Sequence, residues 1–306
     1  MRQTIEHVFD TSPARLWEVF FFDEAYARGL NERLRLRVER RELQHEGSGD
    51  TLIVRRKLQF VPDRELPPVL KRLFSGASSV KETGEFNAAL RRYSVKIELP
   101  MIAAMVDAVR AGRVSVVVES VKAGSPPLLA TVTGRIEGIP NFVTAGAGIA
   151  VDAMGRPQAV GVTGAPFRIT LPAGAGDYRV IYYGHGTGGS LDDDTFDVQL
   201  AGQGAAKVSF QFDGWTEADF IPTLAGLQKL FSGADHFLAL TLQSIARGAA
   251  VQAALGGVLG DALSAATLGP AANPAAGRRP RLDVQAYAGG SLGGTLGLVI
   301  ASSFPR

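Results

Sequence analysis

The chain of 306 residues contains no cysteine. This absence excludes disulfide bonds and thiolate metal sites, since both require the cysteine sulfur. The four histidines are scattered along the sequence, at His7, His45, His185 and His236, so no histidine metal cluster is indicated. We therefore predict no metal ion and no other cofactor.

The chain also lacks a strong charge of one sign and a long apolar run. Its net charge is only +2, whereas a nucleic-acid partner requires concentrated positive charge, so none is expected. No apolar run reaches the ~18 residues of a membrane span, and the opening stretch MRQTIEHVFD has no apolar core of a signal peptide. We expect no integral membrane contact and a cytoplasmic location, with an extracytoplasmic one open if the N-terminus is not native.

The composition changes near Pro100. Residues 1–100 carry 33 of the 62 charged side chains but only five of the 36 glycines. Such a shift is typical of a boundary between independently built units. The sequence therefore predicts one unit over residues 1–100 and a second over residues 101–306.

The first unit has the pattern of an α+β structure. After a short strand, Thr11 or Ser12 is the predicted N-cap of a helix over TSPARLWEVFFFDEAYARGL, with Pro13 in its first turn. Period-two alternation then predicts strands in RLRVERREL, TLIVRRKLQFV, SVKETGEFN and RRYSVKIELP. We expect one helix on an antiparallel sheet, with Trp17 and Phe20 to Phe22 in its core.

This order of elements, with the opening at residues 9–24, resembles the START-like or helix-grip superfamily of the SRPBCC type. The resemblance covers residues 1–100. It implies a curved sheet that holds an apolar ligand against a long C-terminal helix. Because that closing helix is not evident in the sequence, the unit is expected to be incomplete.

The second unit alternates strands with helices. Predicted strands include DYRVIYYG, AKVSFQF and LDVQAYA, and predicted helices include MIAAMVDAVRAG, a long pattern from residue 234 to 263, and GGTLGLVIASS. This alternation predicts an α/β fold with a mainly parallel sheet covered on both faces. The acidic stretch LDDDTFD at residues 191–197 is interpreted as a solvated helix start and not as a cation site.

A serine lies between the last predicted strand and helix. Gly289-Gly290-Ser291-Leu292-Gly293 matches the G-x-S-x-G pattern, in which small residues permit a sharp turn that exposes the hydroxyl. The pattern alone is weak in a glycine-rich chain, where an ordinary tight turn is the alternative. A second glycine-rich loop, at residues 184–189 in YGHGTGGS, follows another predicted strand and favours the catalytic interpretation.

Together these two stretches resemble bacterial esterase- or lipase-like members of the α/β-hydrolase superfamily, from residue 101 to the end. The resemblance implies that Ser291 is the nucleophile and that the substrate is a small-molecule or acyl-chain ester. It implies an oxyanion hole from Gly186, Thr187 and Leu292. It also implies supporting roles for the residues that shape the two loops: His185, as a structural part of the oxyanion wall, Gly289 and Gly293.

In that superfamily the acid and the histidine base follow the serine in the chain. The fifteen residues after Ser291 contain no Asp, Glu or His, so we expect acid and base to be missing and the hydrolase-like domain to be its N-terminal half only. The strand before Ser291 would then be a long unpaired edge, through which copies of the chain could associate. Three functions remain open: a serine hydrolase completed from elsewhere, an apolar-ligand-binding module on an inactive scaffold, and an inactive fragment.

Overall fold

The computed structural model describes residues 10–63, 79–144, 148–227, 232–269 and 271–302. The described residues up to Ala103, together with Asp152–Arg156, form one compact unit, and those of Ala104–Val151 and from Pro157 onward form another. The division falls within helix α3 (Pro100–Ala111). No helix in the described ranges is long and apolar enough to cross a membrane.

Two helices open the first unit, α1 (Pro13–Phe22) and α2 (Glu24–Leu34). The Ser12 side chain caps α1, which confirms the predicted helix start. The prediction of a single helix is wrong, because Asp23 has an extended backbone and its carboxylate accepts a hydrogen bond from the Tyr26 N–H at 2.9 Å. Asp23 thus ends α1 and caps α2.

The first unit continues as a four-stranded antiparallel sheet in the order β1-β2-β3-β4. A 3₁₀ turn, Gly49–Thr51, joins the first two strands. The predicted strands are confirmed with these bounds: β1 (Leu36–Glu46), β2 (Ile53–Pro62), β3 (Val80–Asn87) and β4 (Arg92–Glu98). The resemblance to the START-like superfamily remains a prediction.

The core of the first unit joins α1 to the sheet. Its buried side chains are Phe21, Val54 and Phe86. Trp17 packs on this core, with its ring centroid 4.6 Å from that of Phe86, and Phe20 also packs there. The core role predicted for these residues is therefore confirmed. Phe22 differs: it is 38% exposed, because Phe21 takes the inward position and neighbouring helix residues point about 100° apart.

The second unit contains a six-stranded sheet in the order β12-β8-β9-β7-β6-β5 and a separate two-stranded ribbon, β10 with β11. The strands are β5 (Ser115–Ala123), β6 (Leu128–Asn141), β7 (Gly161–Pro172), β8 (Tyr178–Gly184), β9 (Ala205–Phe210), β10 (Thr267–Leu268), β11 (Ala271–Ala272) and β12 (Pro280–Gly289). The further helices are α4 (Asp197–Gly202), α5 (Glu217–Leu227), α6 (Ser232–Leu255), α7 (Val258–Ser264) and α8 (Leu292–Ser302).

The second unit has an α/β fold whose sheet is mixed, so the prediction of a mainly parallel sheet is wrong. Strands β12, β8 and β9 are parallel, whereas β7 pairs antiparallel with β9, β6 with β7, and β5 with β6. The reason lies in the connections, because β5, β6 and β7 follow one another without a helix. Parallel neighbours need a crossover, usually helical, such as the one through α4 from β8 to β9.

The parallel part of the sheet brings two distant loops together. Strand β8 lies between two parallel neighbours. One is β9, the next strand along the chain, and the other is β12, the last strand of the chain that the structure describes. The last residues of β8 and β12, Gly184 and Gly289, are register partners. The loops that follow these strands therefore begin side by side, at the kind of edge where open α/β sheets bind ligands.

Strand β12 lies at one end of the sheet, and among the described strands it pairs only with β8. The long unpaired edge expected from the sequence is interrupted, because the register with β8 shifts between Arg281 and Gln285. Residues 282–284 bulge from the strand, and Arg281 forms an exposed ion pair with Asp283 at 2.8 Å. Bulges and charges blunt a sheet edge, so residues 285–289 form its regular part.

Candidate active site

Ser291 occupies a strained turn between β12 and α8. Its φ angle is +50°, a left-handed conformation that is uncommon for residues other than glycine, and the residue is exposed. Within the described parts of the chain, no side chain forms a hydrogen bond to its hydroxyl. A strained strand-to-helix turn with an exposed serine hydroxyl is the geometry expected of a nucleophile at this motif.

Close packing restricts two positions beside Ser291 to glycine. A β-carbon at Gly293 would lie 2.0 Å from the Gly184 carbonyl oxygen, and one at Gly289 would lie 2.6 Å from the carbonyl carbon of Gly293. The Tyr287 hydroxyl donates to the Gly293 carbonyl at 3.0 Å. The start of α8 is therefore held against the end of β8.

The loop after β8 forms a tight turn. The Gly189 N–H donates to the Gly186 carbonyl at 3.0 Å, and Gly188 has a φ of +77° at the third position, as a type II turn requires. The Gly188 N–H donates to the Trp215 carbonyl at 2.8 Å. Thr187, at the second position, is exposed, and its N–H donates to no residue that the structure describes.

The two loops meet at Ser291. A β-carbon at Gly186 would lie 3.6 Å from Cβ of Ser291. The N–H of Leu292, at the first position of α8, has no acceptor among the described residues, as is usual for the first turn of a helix. Together with the Thr187 N–H it gives two unpaired backbone donors in the adjoining loops, one of them at the positive end of a helix dipole.

His185 is buried within this arrangement and is 1% exposed. Its Nδ1 lies 2.7 Å from the Gly186 carbonyl, and its Nε2 lies 3.0 Å from the Phe212 nitrogen. Because the Phe212 N–H must donate to Nε2, we assign the proton of the ring to Nδ1, which donates to Gly186. Burial lowers the pKa of His185, so the ring is neutral and joins the loops after β8 and β9.

A general base for Ser291 is not found among the described residues. No imidazole nitrogen or carboxylate in these ranges forms a hydrogen bond to its hydroxyl, and both nitrogens of His185 are occupied. A serine without a base stays protonated and is a weak nucleophile. The same ranges contain no group of three residues suited to hold a metal ion.

The acidic stretch after the loop differs from the sequence-based interpretation. Asp197 begins α4, as expected of a helix start, but it is 4% exposed, so the prediction of a solvated stretch is wrong at this position. Its carboxylate pairs with Lys207 at 2.5 Å and with Arg168 at 2.7 Å. The two cations approach from strands β9 and β7 and require the carboxylate to face inward.

Lys207 is the centre of this buried network. It is fully buried, and its ammonium also donates to the carbonyls of Asp193 at 2.7 Å and Thr195 at 2.9 Å. The Tyr183 hydroxyl donates to the Asp193 carboxylate at 2.7 Å. Burial lowers the pKa of Lys207, and the ion pair with Asp197 opposes that shift. The sequence analysis missed this network, although a lysine inside the apolar strand AKVSFQF was a signal for it.

Comparisons with known proteins give little further information. No protein-family model matches the chain, and no curated protein is similar to it in sequence. One similar solved structure is described as an acetyl xylan esterase from Bacteroides fragilis, with 13% identity and a TM-score of 0.34. The likeness covers 66% of this chain and 49% of that protein, so it spans about half of the esterase. At this TM-score it carries no argument about fold or function.

Proposed function

We propose that the second unit carries the nucleophile and oxyanion hole of a serine ester hydrolase of the α/β-hydrolase type. The observation that supports this proposal best is the strained, exposed Ser291 beside the Gly186 turn. The proposed substrate class is a small-molecule or acyl-chain ester. Hydrolysis of an ester through an acyl-serine needs a hydroxyl nucleophile and N–H donors that stabilise the oxyanion formed from the ester carbonyl.

In the proposed reaction, Oγ of Ser291 attacks the ester carbonyl carbon, and the carbonyl oxygen becomes a tetrahedral oxyanion. The N–H groups of Leu292 and Thr187 donate to this oxyanion, and one such donor lowers the barrier by ~3 kcal/mol. The C–O bond to the alcohol then breaks, the alcohol leaves with a proton, and the acyl group stays on Ser291. Attack by water on this acyl-serine releases the carboxylic acid and restores the hydroxyl.

The described residues supply the oxyanion donors but not the proton acceptor. We expect the proton of Ser291 to go to hydroxide or to a base outside the described residues. A serine protease that lacks a triad member still accelerates the reaction ~10³-fold over water through its oxyanion hole and substrate binding. We therefore expect slow acylation of Ser291 whose rate rises with pH above neutrality.

Labelling with a fluorophosphonate tests this proposal on the full chain. The wild type should form a phosphonylated adduct at Ser291, identified by mass spectrometry of its peptides. Ser291→Ala should lose the adduct, whereas Ser125→Ala should keep it, because Ser125 is an exposed serine on a different loop. Equal labelling of both variants, or no labelling of the wild type at any pH up to 10, would contradict the proposal.

The alternative function, an apolar-ligand site in the first unit, has less support. Trp17, Phe20 and Phe21 pack against Phe86 and Tyr93 and against one another. Aromatic side chains that satisfy each other in this way serve as core and leave little surface for a ligand. We therefore do not propose it.

A further inference from the structure

Tyr287 is a buried residue of strand β12, four positions before Ser291. Its ring packs against two glycines. A β-carbon at Gly297, in α8, would lie 2.1 Å from Cε1 of the ring, and one at Gly184, at the end of β8, would lie 2.0 Å from its hydroxyl oxygen. Both distances are far shorter than an ordinary contact between non-bonded atoms. The ring therefore fits between β8 and α8 only because both positions are glycine.

The hydroxyl of Tyr287 contacts both segments that carry the proposed oxyanion donors. It donates to the Gly293 carbonyl at 3.0 Å, in the first turn of α8, and Leu292 is next to Gly293 in the chain. It also lies against Gly184, the last residue of β8, and Thr187 follows Gly184 by three residues. One buried hydroxyl is therefore in contact with the backbone close to each donor.

The first turn of α8 has little intrinsic preference for a helix. Three of the first six residues of this helix are Gly293, Gly294 and Gly297, and glycine loses more conformational freedom on folding than any other residue. Ser291, directly before the helix, adds the strain of its left-handed φ of +50°. Contacts from outside the helix are therefore needed to hold the N–H of Leu292 in one direction, and the Tyr287 hydroxyl supplies one.

The Tyr287 hydroxyl remains protonated over the pH range in which esters can be assayed. Burial raises the pKa of Tyr287, and the nearby Tyr183 raises it further. A phenol that stays protonated donates its hydrogen bond to Gly293 at every such pH and cannot serve as the general base for Ser291. Its contribution to the candidate site is therefore one of geometry and does not depend on pH.

We propose that Tyr287 is a positioning residue for ester hydrolysis at Ser291, and this inference rests on the proposed function. Through the Gly293 carbonyl its hydroxyl holds the first turn of α8 and so keeps the N–H of Leu292 directed at the oxyanion. An oxyanion donor contributes more in the transition state than in the ground state, since the negative charge develops only there. Loss of the hydroxyl therefore lowers the rate of acylation and leaves the binding of the ester unchanged.

Acylation of Ser291 by 4-nitrophenyl acetate, measured in the full chain at increasing ester concentrations, tests the proposal. Tyr287→Phe keeps the ring and removes the hydroxyl. We expect its limiting acylation rate to fall about tenfold, the equivalent of ~1.4 kcal/mol in the barrier. The ester concentration that gives half of the limiting rate should stay within about twofold of the wild type. The dependence of the rate on pH should keep its shape, because the hydroxyl does not titrate in this range.

Tyr178→Phe is the matched control. Tyr178 is also buried, at the start of β8, and its hydroxyl forms no hydrogen bond within the ranges that the structure describes. Its acylation rate should stay within about twofold of the wild type. Replacing Tyr287 by 4-aminophenylalanine, which keeps a donor at the same place, should restore the rate to within about threefold. Replacing it by 4-methylphenylalanine, which fills the place without donating, should not, and this pair decides the question if Tyr287→Phe does not fold.

Several outcomes would overturn the positioning role alone and leave the proposed function standing. These are equal acylation rates in the wild type and Tyr287→Phe, an equal loss in Tyr178→Phe, a weaker binding of the ester at an unchanged limiting rate, and a changed pH dependence. A loss of rate that 4-aminophenylalanine does not restore would overturn it as well. Absence of any acylation of Ser291 in the wild type would instead contradict the proposed function, and this inference with it.

Discussion

At the residue scale, the candidate site depends on backbone conformation and close approach more than on side-chain chemistry. Ser291 has a left-handed φ, and Gly289 and Gly293 allow the segments around it to meet. Such strain costs about 1–3 kcal/mol per residue and persists where surrounding packing enforces it. The conformation of the turn around Ser291 therefore predicts which of its glycines can be replaced by alanine.

The two glycines that flank the turn should respond differently to alanine. A β-carbon at Gly293 would overlap the Gly184 carbonyl oxygen, whereas one at Gly290 would meet no atom within 4 Å. We expect Gly293→Ala to lower the free energy of unfolding by about 3 kcal/mol and to abolish labelling of Ser291. Gly290→Ala should stay within ~0.5 kcal/mol of the wild type. Urea unfolding measures both changes, and equal effects would refute the close approach.

His185 should make the stability of the second unit depend on pH. Its pKa is lowered in the folded state, so the unfolded chain binds the proton first, near its ordinary pKa of about 6.5. Stability should be retained above that pH and should fall as the pH drops below it, by at most ~1.4 kcal/mol per pH unit. In His185→Gln, whose amide can donate to Gly186 and accept from Phe212, this part of the pH dependence should disappear. An unchanged slope between pH 7.5 and 5.0 in urea titrations would contradict the assignment.

At the scale of elements, α4 and the segment before it are held by charges and not by apolar packing alone. Lys207 and Arg168 project from neighbouring regions of β9 and β7 and share the Asp197 carboxylate. Removing one partner of a buried ion pair leaves an uncompensated charge, which costs more than the pair itself contributes. The network fixes the segment that directly follows the glycine-rich loop after β8.

Asp197→Ala should therefore be strongly destabilising. It leaves Lys207 and Arg168 buried without their carboxylate, and we expect a loss of about 3–5 kcal/mol in the free energy of unfolding. Asp194→Ala is the matched control, because Asp194 is exposed in the same segment, and its effect should be within ~0.5 kcal/mol. Thermal and urea unfolding of the two variants compare them directly. Similar stabilities would mean that the network contributes little.

At the scale of each unit, the order of the strands determines which backbone groups are protected. In the second unit β9 is central and all its residues are buried, whereas β12 pairs on one side only among the described strands and is interrupted by a bulge. Regions with few buried contacts open at lower free energy. The edge at β12 is also where an association between copies would show itself.

Hydrogen exchange followed by mass spectrometry should resolve this difference. We expect amides of β7 and β9 to exchange slowest in the second unit and those of β12 to exchange faster, since β12 lies at an edge. The ratio of the exchange rate in β12 to that in β9 should not change with protein concentration if copies of the chain do not pair through the β12 edge. Protection of β12 equal to that of β9, growing with concentration, would instead support the predicted association through this edge.

Much of the local structure could be predicted from the sequence. The Ser12 cap, the alternating strands of the first unit and the strand and helix around Ser291 all follow from spacing over a few residues. The break at Asp23 and the end of α6 at Leu255, before Gly256 and Gly257, depend on individual caps and glycines, which a periodic pattern does not resolve.

Local sequence patterns were enough to predict that a small-residue turn presents Ser291, because the conformations open to glycine and the change from period two to a helical period are local properties. By contrast, the pairing of β8 with β12, the mixed sheet and the inward position of Asp197 beside Lys207 and Arg168 depend on the three-dimensional fold. Pairing between residues that are a hundred positions apart depends on register, burial and charge across the whole sheet. Those terms depend on contacts between distant segments, which a local sequence pattern does not reveal.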